Sequence, residues 1–152
     1  MDPAPMRPCI SMITLGVSDL PRSVAFYLGL GFPQLESPPS VAFFTLQGTW
    51  LGLFPRTDLL KDAGLPPSEA STAGAVGSPG FSLSHNVATQ AEVRAVHAAA
   101  LAAGGTEAKG PVQAEWGGFH SYFRDPDGHL WEIAHNPFFW VGPKPEAAAA
   151  AS

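Results

Sequence analysis

Short stretches in which apolar and polar residues alternate with a period of two make up most of this chain, and two longer stretches carry apolar residues at helical spacing. Residues 10–17 have strand character, and Ser18 or Asp19 then stands where a helix N-cap belongs, with Pro21 in the first helical turn. Val24, Ala25, Tyr27 and Leu28 continue at helical spacing, and Gly29 and Gly31 end the helix. Strands are predicted over 32–36, 41–46 and 50–54, separated by Ser37-Pro38-Pro39-Ser40 and Gln47-Gly48-Thr49. A short helix over 59–63 and a Pro/Ser/Ala/Gly-rich stretch follow, and then the same order begins again. It has a strand over 81–85, a helix over 90–103 ended by Gly104-Gly105, a strand at 107–109 or 112–114, and two strands around Asp125-Pro126-Asp127-Gly128. In the second helix Val93, Val96, Ala100 and Leu101 form one stripe, while His97 is expected half-exposed on its surface.

A β-α-β-β-β order that occurs twice predicts an α+β fold of two tandem βαβββ modules, and an internal duplication is the simplest reading. The boundaries read as an N-terminal arm over 1–9, a first module over 10–56, a linker over 57–78 and a second module over 79–137. An apolar segment with an alanine-rich tail, partly disordered, fills 138–152; Phe138-Phe139-Trp140 is too apolar for solvent and should pack on the body or at a subunit contact.

Composition supports this and narrows the function. The chain has 152 residues, 45% of them hydrophobic and only 14% charged, with 16 Gly and 16 Pro, which favours many turns and strands over long helices. A net charge of −5 without a Lys/Arg cluster gives no footprint for nucleic acid. No apolar run approaches the ~18 residues of a membrane span, and the N-terminus lacks a signal-peptide plan, so no membrane association and a cytoplasmic location are expected. Cys9, the single cysteine, excludes an internal disulfide; beside Pro8 at the start of the first strand it reads as structural.

The chemistry concentrates between Trp116 and Pro137. Glu132 sits among Leu130, Trp131, Ile133 and Ala134, and a carboxylate inside an apolar strand must face water, pair, bind a metal or react. If Tyr122 pairs with Glu132 across the turn, His120, Tyr122 and Glu132 share one face; pairing Phe123 with Leu130 would separate them. Both registers are open. His85 ends the strand that starts at Phe81 and could contact a ligand or cap the following helix, while His129 suits a turn or surface role and His135 packing or a terminal hydrogen bond. Phe43, Trp50, Phe54, Phe81, Trp116, Phe119 and Trp131 are too many for the helix-facing layers alone, so some should wall a pocket for a flat or apolar small molecule.

Val17-Ser18-Asp19-Leu20-Pro21-Arg22-Ser23-Val24-Ala25-Phe26-Tyr27, Leu30-Gly31-Phe32 and Asp125-Pro126-Asp127-Gly128-His129-Leu130-Trp131-Glu132 together resemble the vicinal oxygen chelate superfamily, which holds glyoxalase I, extradiol dioxygenases, and the fosfomycin and bleomycin resistance proteins. The resemblance implies a curved mixed sheet forming a half-barrel cleft with helices outside. In metal-using members four inward side chains hold a divalent ion, and the resemblance places those positions at Met12, Gly52, Phe81 and Glu132. Gly and Phe offer no donor and a thioether prefers soft metals, so no cofactor is expected. The alternative is a rearranged centre of His85, His120 and Glu132 holding Zn, Ni, Fe or Mn. Fosfomycin-resistance-like proteins also place a substrate-contacting tyrosine at Tyr122.

The resulting expectation is a metal-free member that binds a small aromatic or apolar molecule, as bleomycin resistance proteins do, typically as a homodimer. Its ligand-binding residues would be Phe54, Phe81, His85, Trp116, His120, Tyr122 and Glu132, and the acidic balance suits a cationic ligand. The alternative is an enzyme of lyase, isomerase or dioxygenase type with Glu132 or His120 as base and Tyr122 as a donor to oxyanion charge.

Overall fold

The computed structural model describes residues 2–69 and 80–145. Residues 70–79 of the expected linker and the alanine-rich tail after 145 fall outside them. The first module contributes β1 (Met12–Val17), α1 (Leu20–Gly29), β2 (Gln34–Leu35), β3 (Ala42–Phe44) and β4 (Trp50–Pro55). The second contributes β5 (Leu83–Asn86), α3 (Gln90–Ala102), β6 (Thr106–Gln113), β7 (Phe119–Arg124) and β8 (Leu130–His135), with α2 (Arg56–Asp62) between the two. Each module forms its own four-stranded mixed sheet, in the orders β1-β4-β3-β2 and β5-β8-β7-β6. In both, the first strand lies parallel to the last and every other pair is antiparallel, so the helix serves as the crossover that a parallel pair requires. This is the α+β, twice-repeated βαβββ architecture; the sheets stay open and close no barrel.

Local chemistry explains the helix starts. Asp19 accepts from the Arg22 amide at 3.1 Å and Pro21 lies in the first turn of α1. Thr89 and Glu92 form a reciprocal capping box at the start of α3.

Period-two alternation decides what each sheet buries. Leu15, Val17, Ala42, Phe44, Leu51 and Leu53 from the first sheet join Leu83, Phe119, Phe123, Trp131 and Ile133 from the second in one core with Phe26, Tyr27 and Val93 of the helices. The modules therefore share a core. Of the seven aromatics from which a pocket wall was expected, Phe119 and Trp131 belong to this core, because they alternate with His120 and Glu132 on the opposite face of their strands.

Further differences have physical reasons. The first strand begins at Met12, and Cys9 is exposed before it. The second predicted strand shrinks to Gln34–Leu35, and β5 begins at Leu83, leaving Phe81 outside the sheet. The stretch from 106 is one continuous strand with two register shifts, where a single short strand at either 107–109 or 112–114 was expected. Helix α2 packs on β1 and β4, with Arg56 and Leu59 against Gly16. His97 is buried, its Nε2 2.9 Å from Glu107, because its face of α3 lies over β6 and β7. Phe138 and Phe139 are 69% and 67% exposed, with the Phe138 ring edge against Gly117 and both amides held by the Asn136 side chain, while Trp140 is half-buried.

Candidate functional site

The Asp125-Pro126-Asp127-Gly128 turn is not part of a pocket; it clasps the modules together. Gly128 takes φ +88°, and the turn closes with its amide 3.0 Å from the Asp125 carbonyl. Asp125 Oδ1 accepts the amides of Asp127 and His129 at 2.9 and 2.8 Å, and Oδ2 accepts the Tyr27 hydroxyl of α1 at 2.6 Å. Trp131 Nε1 donates to that same hydroxyl at 3.1 Å. Asp127, whose side chain is wholly buried, accepts from the Ser18 amide and hydroxyl and from the Ser23 hydroxyl, with Arg56 and Arg22 at 3.5 and 3.6 Å. His129, expected at the surface, reaches back so that its Nε2 lies 2.8 Å from the Gly16 carbonyl. Burial raises the Asp125 carboxyl above the usual range, against the opposing pull of His129, Tyr27 and the two amides. Burial, reinforced by Asp125, holds the Tyr27 phenol well above its ordinary value.

Across the outer, concave face of the second sheet runs a polar row. Ser84, Glu132, Tyr122 and Lys109 are direct register partners on β5, β8, β7 and β6. Tyr122 thus pairs with Glu132, the first of the two registers considered. Glu132 Oε2 accepts the Tyr122 hydroxyl at 2.9 Å and lies 2.9 Å from His120 Nδ1, while Oε1 accepts the Ser84 hydroxyl at 3.1 Å. An ionised carboxylate only accepts, so this contact puts the proton of His120 on Nδ1 and the lone pair on Nε2. Lys109 Nζ lies 3.4 Å from that Nε2 and is the donor there. Partial burial and the Glu132 carboxylate raise the Tyr122 phenol.

Aromatic groups flank the row. The Trp116 ring packs edge-on to His120, centroids 6.0 Å apart, and folds over Gly118, where an added Cβ would stand 1.9 Å from the indole; only glycine leaves room for it. Beyond Tyr122 an open cleft of about 520 Å³ is lined by Phe81, Ser82, Lys109, Tyr122, Arg124 and Leu130. Of the residues expected at the site, His120, Tyr122, Glu132, Trp116 and Phe81 therefore lie along one face.

His85 and Phe54 do not join them. His85 alternates with Ser84, so its side chain leaves the sheet on the helix side, where partial desolvation lowers its imidazole and Glu92 opposes the shift. Phe54 belongs to the other sheet, beside Gly16. The sequence reading missed Lys109, Arg124 and Ser84.

The centre of His85, His120 and Glu132 is accordingly not assembled, and among the described residues no three His, Cys, Asp or Glu side chains converge to hold an ion. The positions that the resemblance assigned to metal do not fit one either. Met12 Sδ lies 3.1 Å from where a Cβ on Gly52 would stand, on the first sheet, and the register partner of Glu132 on β5 is Ser84, not Phe81. The two donors of the concave row are spent on hydrogen bonds, with an ammonium group beside the free imidazole nitrogen. That set suits an organic ligand better than a hard divalent ion.

Fold and site define an α+β protein of paired βαβββ modules with an outward-facing polar and aromatic groove. The chain belongs to the Glyoxalase/Bleomycin resistance protein/Dioxygenase superfamily, whose sequence model matches residues 10–133. It is 31% identical over 129 residues to the metallothiol transferase FosB of Shouchella clausii (strain KSM-K16), covering 82% of this chain and 77% of that protein. A glyoxalase-related enzyme from Fulvimarina pelagi superposes with a TM-score of 0.80 at 32% identity, over 95% of this chain and all (100%) of its own. A lactoylglutathione lyase from Agrobacterium tumefaciens shares the fold with a TM-score of 0.63 at 22% identity, over 86% and 96% of the two chains. No described helix is long and apolar enough to cross a membrane.

Proposed function

We propose that the concave face of the second sheet binds a small organic molecule without the divalent metal that the family often uses. The observation that carries this is the engagement of Glu132: three donors, from Ser84, His120 and Tyr122, converge on its carboxylate, and Lys109 fills the direction an ion would need beside His120. An aromatic or apolar body rests against Phe81 and Leu130 or against Trp116, and the polar row orients it.

The groove is completed by a second copy of the chain. The first sheet leaves Met12 and Trp50 each 41% exposed beside a largely apolar cleft of about 820 Å³, which would cover the open side of the partner's second sheet. With one exposed cysteine and no second to pair with it, the cytosol is the proposed compartment.

A second reading is favoured by the imidazole geometry and by the likeness to a metallothiol transferase. Glu132 holds His120 in the tautomer that offers Nε2 as a proton acceptor, which makes His120 the general base and Glu132 its positioning residue. Tyr122 already donates to Glu132, so it does not serve the oxyanion from this position.

Chelator-dialysed protein should show the same thermal shift with a panel of aromatic small molecules as protein supplied with Zn, Ni, Fe or Mn. A response that appears only with stoichiometric metal would refute the first reading. Sedimentation in the same buffer reads the dimer, and a monomer at every concentration would remove the shared groove.

A further inference from the structure

The strand that carries Lys109 is built irregularly, and the irregularity bears on what the cleft recognises. Glu107 on β6 is opposite Phe123, a core residue, and its carboxylate accordingly reaches His97 on the helix side. Regular alternation would send Lys109, two residues on, to that same side. A register shift between Glu107 and Lys109 instead sets Lys109 opposite Tyr122, on the concave face, and a second shift before Val112 sets that residue opposite His120. Pro111 fits such a strand, because β6 is the outer strand of the sheet and has no ladder partner on its far side. The bulges place Lys109 on the face that carries the cleft, with its ammonium beside His120.

A second cation meets it there. Arg124 lines the same cleft, with one guanidinium nitrogen tied to the Gly128 carbonyl at 3.0 Å. Among the described residues no ion pair engages either Lys109 or Arg124. Against them stands only Glu132 in the row, its oxygens already occupied by hydroxyl and imidazole donors. In a chain of net charge −5, these two cationic residues line one cleft together with an aromatic ring, Phe81, that is 58% exposed.

We propose that the ligand of this cleft is an aromatic carboxylic acid, its carboxylate held by Lys109 and Arg124 and its ring laid on Phe81 and Leu130. The proposal rests on the assignment of this face as a small-molecule site and reverses the cationic ligand that net charge alone suggests. Charge-assisted hydrogen bonds from both groups fix the acid end, and the Tyr122 edge limits how deep the ring enters.

Indole-3-acetate, indole-3-acetamide and tryptamine share one ring system and differ in the charge of the side chain. Titrated into the full chain by calorimetry and ligand-observed NMR, the acid should bind about tenfold more tightly than the amide, with the amine weakest, and the difference should shrink as salt rises. The preference should collapse in Lys109→Gln and persist in Lys61→Gln, which removes the same charge from α2 outside the cleft. Arg124→Gln gives an independent loss should Lys109→Gln fail to melt like the parent protein. Equal binding of acid and amide, or strongest binding of the amine, overturns the inference while leaving a small-molecule site in place. Absence of binding by all three, with the cleft resonances unmoved, overturns the inference and the site together.

Discussion

Removing one oxygen atom from Tyr27 tests whether the clasp holds the modules together. In Tyr27→Phe the ring stays, and with it the edge-on contact to Phe26 and the packing on Phe32 and Trp131. Two hydrogen bonds go. The bond to Asp125, at 2.6 Å and buried, is charge-assisted and contributes roughly 1.5–3 kcal/mol. The Trp131 indole N–H, 3.1 Å from the same hydroxyl, is left buried without an acceptor at a cost of roughly 1–3 kcal/mol. Taken at their lower ends, because the two share one atom and are not additive, these give about 2.5 kcal/mol. For a chain of this size that corresponds to a melting point lower by roughly 5–10 °C. Urea unfolding followed by tryptophan emission, at fixed protomer concentration, reads the change directly. Tyr122→Phe is the control, since its single bond to Glu132 lies on an open face and should cost about 1 kcal/mol. A loss below about 1 kcal/mol in Tyr27→Phe, or one no larger than the control's, would refute the assignment of the turn as the inter-module clasp.

Asp125 adds a pH dependence with a definite sign. Its carboxyl is raised in the folded state, so the stability linked to its proton is complete below the unfolded value near 3.8 and is lost as pH rises through the higher folded value. Asp125→Asn should remove that decline, and parallel pH profiles for the two proteins would contradict it. In Glu132→Gln the amide can turn its NH2 group towards His120 and Tyr122, which share one carboxylate oxygen in the parent, so the tautomer of His120 is no longer enforced. Nitrogen-15 spectra should show proton density moving from Nδ1 towards Nε2; an unchanged imidazole would remove the positioning role from Glu132.

Elements governed by local chemistry were legible before any coordinates. The Asp19-Pro21 start of α1 and the Asp-Pro-Asp-Gly turn each announce themselves in a few adjacent residues, and the doubled β-α-β-β-β order follows from them. Tyr122, Glu132 and His120 were legible as a face because the tight turn limits the register to two choices. What failed depended on contacts remote in sequence. His97 looked like a surface residue because no helical pattern announces that Glu107, ten positions on, will receive its ring. His85 looked like a pocket residue because the predicted strand started at Phe81, and the register partner of Glu132 turned out to be Ser84. Asp125 and Asp127 were read for their turn alone, since their partners Tyr27, Ser18 and Ser23 are about a hundred positions away.

Lys109 was invisible for a different reason, and it changes how the groove is understood. Period-two counting from Glu107 assigns it to the helix side, and only a bulge, which leaves little trace in sequence beyond Gly110-Pro111, moves it across. The family's metal-using members place a cation at the centre of the concave face. Here Glu132 supplies the carboxylate of this face, Ser84 is its register partner, and the ammonium of Lys109 lies beside His120. A fixed side-chain cation cannot accept substrate oxygens into an open coordination sphere, but it can neutralise an oxyanion through hydrogen bonds.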